Sequence, residues 1–401
     1  MTISTEPLLE AVTLGYGNLF DAKHTPMAAR LTVHPLAGAQ TPNVAELLGA
    51  LAQHWPAEAG PLWLNLTNVA WLSELMQASP SPHLFVELPA FLAGDPGWAA
   101  PCIALAAQGV PLVLKGRPLA PLSREVLAAF RYAIVDRSED RRMSPQPGQP
   151  PARWLPFVQS GATSKEDAAD SFKRGALAVL DWPLGDPPDG SPGSKPVPAG
   201  VRVVMDLMQR VERGEPVAKL EASLRGDPTL AFRLMRFINS PGFGLSVEVS
   251  SFQHAIMLLG YQRLKRWLAL LMTSAVDDAL LKPLMFMAVR RGLLMEALAK
   301  SQGDSTTQSE VFICGVFSLL DRMLRQPFSR LMDSLPVPER VAQALCHGEG
   351  PYAPYLELAC AVEMASPIDI RDATERMMIT PGEVNRAVLQ AMSMAKQTHI
   401  D

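Results

Sequence analysis

The sequence predicts a chain of two domains, an α/β domain followed by an all-α domain. Before residue 182, short apolar runs alternate with helical patterns, which is typical of a parallel sheet covered by helices. After residue 200, apolar residues recur at helical spacing almost to the end of the chain. Between the two patterns lies the segment PLGDPPDGSPGSKPVPAG, which cannot fill a core and predicts an exposed linker. The predicted bounds are 1–182 for the first domain, 183–200 for the linker and 201–397 for the second domain.

Composition and charge narrow the possible classes of protein. Apolar residues make up 48% of the 401 residues and charged residues 19%, a mixture that excludes wholesale disorder. The chain carries 36 Lys and Arg against 40 Asp and Glu, and its formal net charge is −4. Neither half is basic, so we expect no nucleic-acid partner.

Six apolar runs in the first domain predict strands, because strands covered on both faces are almost continuously apolar. Four helical patterns between them are VAWLSELMQ, WAAPCIALAAQ, REVLAAF and KEDAADSFKRG. Repeated βα units imply a parallel sheet, either open or closed into a barrel, with a site at the carboxyl ends of its strands. The predicted strands are 62–67, 84–90, 110–116, 132–136, 154–159 and 177–183, and their ends carry Asn65, Glu87, Lys115, Asp136, Gln159 and Trp182.

The second domain is predicted to be helical throughout. Asp227-Pro228 indicates a helix start, since it combines a capping side chain with a proline at the first helical position. Ser250 and Gln253 fit a capping box, and Gly260 is expected to end the helix that follows. The predicted helices are 201–212, 229–238, 251–260, 262–275, 282–301, 308–325, 338–347, 354–365 and 383–397.

The cysteines, the first residues and the most apolar segment indicate where in the cell the protein is located. The four cysteines form no CxxC pair, which indicates reduced thiols in a cytoplasmic protein. The first 17 residues lack a basic start followed by an apolar run, so we expect no secretory signal. The most apolar stretch, 254–272, contains three cationic residues and cannot cross a bilayer, so no membrane partner is expected.

The helical half resembles the HDOD domain family. The resemblance rests on Asp227-Pro228, RLMRFINSPGF at 233–243, SFQHAIMLLG at 251–260, Trp267, CGVFSLLDRML at 314–324, PERVAQAL at 338–345 and PYLELACAVE at 354–363. HDOD domains resemble a helical phosphohydrolase superfamily, but they lack its metal-binding His-Asp pair. The matching place in this sequence is Ser318-Leu319, and neither side chain is a useful ligand for a divalent metal. Within the resemblance, Arg233, Arg236, Asn239 and Trp267 are candidate ligand or partner contacts.

An α/β domain before an HDOD domain resembles the EAL–HDOD group of bacterial signalling proteins. The resemblance implies a β/α barrel of the kind that hydrolyses cyclic di-GMP with two metal ions. The family's opening Glu-Ala-Leu falls near Ala28–Leu31, which has the sequence Ala-Ala-Arg-Leu. Asn65 and Glu87 match the family, Leu114-Lys115 stands in place of its paired aspartates, Asp136 falls near its Lys-x-Asp, and Gln159 replaces its later catalytic glutamate.

These replacements predict a barrel that no longer binds two metal ions and no longer hydrolyses cyclic di-GMP. Glu87 and Asp136 are the acids left at the predicted strand ends, and a two-metal centre needs more oxygen ligands than two carboxylates supply. Lys115 adds a positive charge where a cation would sit, a repulsion of about 4 kcal/mol per unit charge of that cation at ~4 Å and an effective dielectric of ~20. We therefore expect no catalytic residues, no metal and no cofactor, with Asn65, Glu87 and Asp136 as vestigial positions. Lys115 either pairs with Glu87 or Asp136, or faces a phosphate together with Arg30 and Arg117.

The function predicted from these features is that of a non-catalytic signalling adaptor that binds a protein partner. The alternative is a residual cyclic di-GMP phosphodiesterase, or a cyclic di-GMP receptor. A phosphohydrolase of the helical superfamily is a third possibility, against which the Ser318-Leu319 replacement argues. Ser318 is expected in the core, because no His–acid pair is placed to activate its hydroxyl, and Arg290-Arg291 is expected on the surface.

Overall fold

The computed structural model divides into two compact units, and each is described by itself. The first unit comprises Met1–Gly185 together with Ala361–Val388, and the second comprises Asp186–Cys360 together with Leu389–Asp401. The domain bounds stated above stay a prediction. The structure describes residues 6–36, 44–55, 59–78, 80–140, 155–186, 188, 198–217, 219–220, 252–274, 279–300, 303–333 and 335–397.

A closed barrel of eight strands forms the centre of the first unit. Strand β1 runs antiparallel to both β2 and β8, and the pairs from β2 to β8 are all parallel. The predicted β/α fold is therefore confirmed, and the sheet is closed, not open. The strands are β1 (Val12–Asp21), β2 (Pro26–Pro35), β3 (Leu62–Leu66), β4 (Leu84–Pro89), β5 (Leu112–Lys115), β6 (Phe130–Asp136), β7 (Phe157–Ser160) and β8 (Ala178–Leu180).

Polar side chains cap the first turns of several helices of the barrel and fix the residue at which each of them begins. The Asn68 side chain accepts hydrogen bonds from two amides of α3, and the Ser123 hydroxyl accepts one from α6. Ser164 and Asp167 form a capping box at the start of α7. The helices are α1 (Glu6–Ala11), α2 (Val44–His54), α3 (Val69–Leu75), α4 (Ala90–Ala93), α5 (Pro96–Ala107), α6 (Arg124–Ala129) and α7 (Lys165–Lys173).

Strands β1 and β2 were not predicted from the sequence. Glycines interrupt the apolar pattern of β1, and both are needed for close contacts. A Cβ at Gly15 would lie 2.5 Å from the Ala365 Cα, and a Cβ at Gly17 would lie 2.5 Å from Asp181 Oδ1. The two glycines therefore weaken the strand pattern in the sequence, but they allow β1 to pack closely against Ala365 and Asp181.

The barrel interior is built in layers, and an apolar layer lies below a polar one. The rings of Trp63 and Phe85 stack with centroids 5.8 Å apart, and Trp63 also stacks on Tyr132 at 5.7 Å. Since side chains alternate along a strand, residues two positions further on point to the same face. The apolar layer consists of Leu19, Ala28, Trp63, Phe85, Val113, Ile134, Val158, Ala178 and Leu180.

Residues 361–388 pack against the first strands of the barrel, although they lie far away in the sequence. The buried Asn385 side chain accepts from Leu14 N at 3.0 Å and donates to the carbonyls of Leu9 at 2.7 Å and Val12 at 2.8 Å. The His34 ring lies 3.1 Å from the Ala365 carbonyl through Nε2. One asparagine thus satisfies three backbone groups at the start of the barrel.

The described part of the chain after residue 198 is helical, in agreement with the prediction. Gly260 has a φ of 69° and breaks the longest helix, where the sequence predicted a helix end. The predicted helix 229–238 and its Asp227-Pro228 start lie outside the described residues. The helices are α8 (Ala199–Glu212), α9 (Phe252–Ser274), α10 (Lys282–Ala299), α11 (Ser305–Phe317), α12 (Leu320–Leu324), α13 (Phe328–Leu331), α14 (Glu339–His347), α15 (Ala353–Glu363), α16 (Pro367–Met377) and α17 (Pro381–Gln397).

Helices α10 and α11 approach closely in the second unit. A Cβ at Gly315 would lie 2.6 Å from the Gly292 Cα, so the two backbones meet at a pair of glycines. The prediction that Arg290-Arg291 lies on the surface was wrong, because the two side chains are 1% and 4% exposed in this tightly packed layer. Among the described residues, no helix is both long enough and apolar enough to cross a membrane.

Candidate functional site

Four polar side chains form the layer directly above the apolar layer of the barrel. Arg30, Asn65, Glu87 and Lys115 each lie two residues after a member of the apolar layer, on β2, β3, β4 and β5. The parallel register places Asn65 beside Thr32 and brings the carboxyl ends of these strands to one edge. The structure therefore brings together Asn65, Glu87 and Lys115 from the predicted strand ends, and places beside them Arg30, which the sequence suggested as a phosphate contact.

Glu87 is held by Arg30 through a bidentate ion pair. Arg30 Nε donates to Oε1 at 2.6 Å and Nη2 donates to Oε2 at 2.7 Å. The Glu87 side chain is 0% exposed and that of Arg30 is 13% exposed. Burial opposes the charge on Arg30, but the Glu87 carboxylate outweighs it and raises the pKa of the guanidinium above its usual value. The carboxylate thus has both oxygens occupied by a cation of the protein itself.

Lys115 bonds to Asn65 and lies beside the ion pair. Its Nζ donates to Asn65 Oδ1 at 3.0 Å, and Asn65 Nδ2 donates to the Thr32 hydroxyl at 3.2 Å. Burial lowers the pKa of Lys115, the charge of Glu87 partly restores it, and Arg30 lowers it further. The predicted pairing of Lys115 with Glu87 or Asp136 is thus replaced by a hydrogen bond to the amide, because Arg30 already occupies the Glu87 carboxylate.

Asp136 acts in the described structure as a capping residue. Its Oδ1 accepts from the Ser138 amide at 2.9 Å and from the Ser138 hydroxyl at 2.6 Å, and its Oδ2 accepts from the Ser160 hydroxyl at 3.1 Å. Burial alone would raise its pKa, but these hydrogen bonds outweigh burial and lower it. The carboxylate therefore stabilises the 3₁₀ turn Arg137–Glu139 that follows β6.

Gln159 interacts with a helix of the barrel. Its Nε2 donates to the Val135 carbonyl at 2.8 Å, and its Oε1 accepts from Arg174 Nη2, at the end of α7, at 3.3 Å. It follows Val158 of the apolar layer by one position, so its side chain points away from the interior. Gln159 is therefore part of the packing between β7 and the end of α7.

The side chains at the strand ends do not fit a centre of two divalent cations. The polar layer holds two fixed cations, Arg30 and Lys115, against one carboxylate, Glu87. Both carboxylate oxygens of Asp136 accept hydrogen bonds from Ser138 and Ser160. Within the described ranges, no group of three or more His, Cys, Asp or Glu side chains is arranged to hold a metal ion. An arriving metal would have to displace Arg30 and would meet the charge of Lys115.

Ser318 and Leu319, which the sequence resemblance matches to a metal-binding His-Asp pair, lie beside a buried arginine of the second unit. The Ser318 hydroxyl accepts from Arg291 Nη1 at 2.8 Å and donates to the Gly315 carbonyl at 2.6 Å. Ser318 is 6% exposed and Leu319 is 1% exposed, in agreement with a core position. The Ser318 hydroxyl donates its proton to the Gly315 carbonyl and not to a general base, so it is poorly suited to act as a nucleophile.

The remaining candidate contacts are placed only in part. Arg233, Arg236 and Asn239 lie outside the described residues, so their role stays a prediction. Trp267 is 2% exposed and lies in the core of its unit, not on its surface. Asp181, which follows β8, was missed from the sequence; its Oδ1 accepts from the Asn18 amide at 3.2 Å and its charge acts on Arg30.

Comparison with known proteins finds a family match in the helical part of the chain. Residues 197–324 match the family model of the HDOD domain. The cyclic di-GMP phosphodiesterase CdgJ of Vibrio cholerae is 28% identical over 164 residues, which are 41% of this chain and 38% of that protein. The chain thus spans well under half of the length of this relative.

Solved structures with EAL domains also resemble the chain. The EAL-like domain protein YdiV is 13% identical with a TM-score of 0.30, and the likeness covers 44% of this chain and 94% of that one. The EAL domain of Mycobacterium smegmatis DcpA is 17% identical with a TM-score of 0.31, covering 43% and 90%. The closed β/α barrel and the helical region with its HDOD match at 197–324 agree with the fold predicted from the sequence.

Proposed function

We propose that this chain is a non-catalytic adaptor in cyclic di-GMP-related signalling, which acts by binding a protein partner. The observation that carries the proposal is the bidentate pair of Arg30 with Glu87. A metal-dependent phosphodiesterase needs its carboxylates free to bind cations. Here the buried carboxylate of the polar layer is neutralised from within the protein, and Lys115 occupies the neighbouring amide oxygen.

The second unit supports the same proposal independently. Arg291 donates to Ser318, the residue that the sequence resemblance matches to the metal-binding pair of the helical phosphohydrolases. Both enzyme-like scaffolds therefore hold an arginine at the place where chemistry is expected. Loss of function at two separate sites favours a role that depends on shape and surface, because a scaffold remains useful for recognition after its chemistry is gone.

The relatives suggest the signalling pathway in which the adaptor acts. One relative bears the name of a cyclic di-GMP phosphodiesterase, and the chain combines an EAL-like barrel with an HDOD domain. We infer that the partner belongs to a pathway that responds to this nucleotide, and that the adaptor acts in the cytoplasm.

Hydrolysis of cyclic di-GMP by the full chain is the direct test of the proposal. The protein is incubated with the nucleotide and Mg²⁺ or Mn²⁺, and linear products are separated by chromatography; an active EAL phosphodiesterase is the positive control. We expect no product above the rate of a blank. Turnover that disappears in Glu87→Gln would overturn the proposal, since it would show that this carboxylate still supports catalysis.

A second function, that of a receptor for cyclic di-GMP, is favoured by the two cations of the polar layer. Arg30 and Lys115 lie together at the open ends of the strands and could face a phosphate without any metal. Calorimetry of the full chain with the nucleotide in EDTA tests this function. Binding that weakens in Lys115→Met but not in Lys173→Met, an exposed lysine of α7, would support the receptor.

A further inference from the structure

A cavity of about 350 Å³ lies where α16 and α17 pack against the first two strands of the barrel. Every described residue that lines it belongs to the first unit, and none of them is part of the polar layer. At about 30 Å³ for each non-hydrogen atom, the share of one molecule in liquid water, the cavity has room for about twelve such atoms. Its size therefore falls within the range of sites that bind small molecules.

The walls of this cavity are mostly apolar and deeply buried. Ile370 on α16 is 3% exposed, and Val384 on α17 is 1% exposed. A buried water molecule needs two to four polar partners, so a cavity with such walls holds water poorly and favours an apolar occupant. The apolar residues of the described lining are Val12, Leu36, Ile370, Ile379, Pro381 and Val384.

One polar side chain of the lining lacks a partner among the described residues. Thr13 is 4% exposed, and its hydroxyl forms no hydrogen bond with the part of the chain that the structure describes. Two residues further on, a Cβ at Gly15 would meet Ala365, so this face of β1 is turned towards the segment that leads into α16. The Thr13 hydroxyl is thus available to a ligand as a donor and as an acceptor.

The other buried polar side chains of the described lining are already engaged. The Thr374 hydroxyl donates to the Ile370 carbonyl at 2.6 Å. The Asn385 side chain forms its three hydrogen bonds to the backbone at the start of the barrel. An occupant therefore meets one open hydrogen-bonding group in otherwise apolar surroundings. Because an unpaired polar group is costly when it is buried, a ligand with one hydroxyl or carbonyl group fits this lining best.

The exposed rim of the cavity carries one charge of each sign, on Arg371 and Glu375. Arg371 Nη2 donates to Asp372 Oδ1 at 3.0 Å, and its Nε lies 3.8 Å from Glu375 Oε1. An anionic ligand would compete with both carboxylates for one guanidinium, and a cationic ligand would compete with that guanidinium for Glu375. An uncharged ligand disturbs neither contact.

We propose that this cavity binds an uncharged small molecule with an apolar body and a single hydroxyl or carbonyl group, which pairs with the Thr13 hydroxyl. The apolar body contacts Ile370 and Val384 and so joins residues 361–388 to the first strands of the barrel. A ligand that binds only the folded protein raises its stability, so the occupied cavity strengthens this contact. The ligand site is separate from the polar layer and does not depend on the proposed adaptor function.

Octanol is the probe for this proposal, because it combines an apolar chain with one hydroxyl group. The full chain, labelled with ¹³C at the δ1 methyl groups of isoleucine, is titrated with octanol and observed by NMR. The signals of Ile370 and Ile379 in the cavity should shift, whereas those of Ile134 in the barrel interior and Ile313 in the second unit should not. Octanoate and octylamine, which carry charges, should bind at least about tenfold more weakly than octanol.

Two variants test the lining residues. Thr13→Val removes the hydroxyl and keeps the shape, so the affinity for octanol should fall about fivefold or more. The melting temperature of the free protein should not fall in this variant, because no hydrogen bond is lost. Val384→Phe fills the cavity and should abolish binding, and circular dichroism checks that both variants are folded. Thr25→Val, at an exposed threonine between β1 and β2, is the matched control and should bind octanol as the unchanged protein does.

Three outcomes would overturn the proposal. The first is that the signals of Ile370 and Ile379 do not shift with octanol. The second is that Thr13→Val binds octanol as well as Thr25→Val does. The third is that octanoate or octylamine binds more tightly than octanol, which would show that the charged rim and not the Thr13 hydroxyl selects the ligand.

Discussion

Arg30 donates two parallel hydrogen bonds to Glu87, and the side chain of Glu87 is completely buried. A bidentate pair of this kind fixes both side chains and satisfies both carboxylate oxygens. It stands near the place where the resemblance puts the opening glutamate of the EAL motif. The polar layer of the barrel is thus held together by the protein's own charges.

Removal of one member of this pair should destabilise the barrel strongly. Arg30→Met leaves a buried carboxylate without its partner, and we expect the free energy of unfolding to fall by about 3–5 kcal/mol. The double variant Arg30→Met/Glu87→Met should recover most of that loss, because no unpaired charge remains. Denaturant titration checks both variants, with the exposed pair of Arg371 and Asp372 as the control. Equal stability of the single and double variants would contradict this account.

The lowered pKa of Lys115 predicts a pH dependence of stability. The unfolded chain binds the proton with the usual pKa of 10.5, and the folded chain binds it more weakly because burial disfavours the ammonium. The unfolded state therefore holds more protons between the two pKa values, and stability should rise with pH through that window up to 10.5. The difference in free energy of unfolding between the unchanged protein and Lys115→Met measures this contribution. An identical slope in both proteins would count against it, and Lys173→Met serves as the control.

Asn385 should be among the most sensitive polar positions of the first unit. Asn385→Leu removes the partners of one buried amide and two buried carbonyls, on Leu14, Leu9 and Val12. At about 1 kcal/mol or more for each unsatisfied group, the loss should be about 3 kcal/mol or larger. Thermal and denaturant unfolding measure it. Asn68→Ala, which removes a helix cap, should cost only about 1 kcal/mol, and a smaller loss at Asn385 than at Asn68 would refute the prediction.

Two glycine substitutions should have opposite effects. Gly315→Ala places a methyl group 2.6 Å from the Gly292 Cα, so helices α10 and α11 must separate and we expect a loss of about 1–3 kcal/mol. Gly49→Ala lies in the middle of α2 with open space around its Cβ, and should gain about 0.5–1 kcal/mol from helix propensity. Unfolding midpoints of the two variants distinguish these effects. A neutral Gly315→Ala would show that the helices are less closely packed than the structure indicates.

The cysteines should differ in reactivity in a predictable order. Burial raises the pKa of Cys102 to about 11 and that of Cys314 to about 12, so neither forms much thiolate at pH 8. Cys346 is half-buried, and burial together with the charge of Glu339 raises its pKa above the usual value. Iodoacetamide labelling followed by mass spectrometry should modify Cys346 well before Cys102 and Cys314, and all should react in denaturant. Equal labelling in the folded protein would be inconsistent with burial of the two thiols.

Strand positions and strand ends could be predicted because apolar runs are a local signal. All six predicted strands are present, and Asn65, Glu87 and Lys115 do lie at one end of the barrel. Their partners could not be predicted, because a strand pattern does not say which cation reaches which acid. Arg30 on β2 takes the carboxylate of Glu87 on β4, which the sequence left open to Lys115, and β3 lies between these two strands.

Some features have no local signal at all. Strand β1 is interrupted by Gly15 and Gly17, whose purpose becomes visible only when Ala365 and Asp181 lie against them. Arg290-Arg291 resembles a surface pair in the sequence, yet both side chains are buried between helices. Asn385 is an ordinary polar residue of an amphipathic helix until its three backbone partners are seen.

The contact between residues 361–388 and the first strands has a consequence for biosynthesis. The ribosome releases β1 early, but the asparagine that satisfies Leu14 is made 371 residues later. The barrel unit therefore stays incomplete while the intervening helices are made. During this time the backbone groups of Leu9, Val12 and Leu14 lack the hydrogen bonds that Asn385 later provides. We expect the nascent barrel to be exposed to chaperones and proteases during this interval, and the docking of residues 361–388 on its first strands to be a late event of chain synthesis.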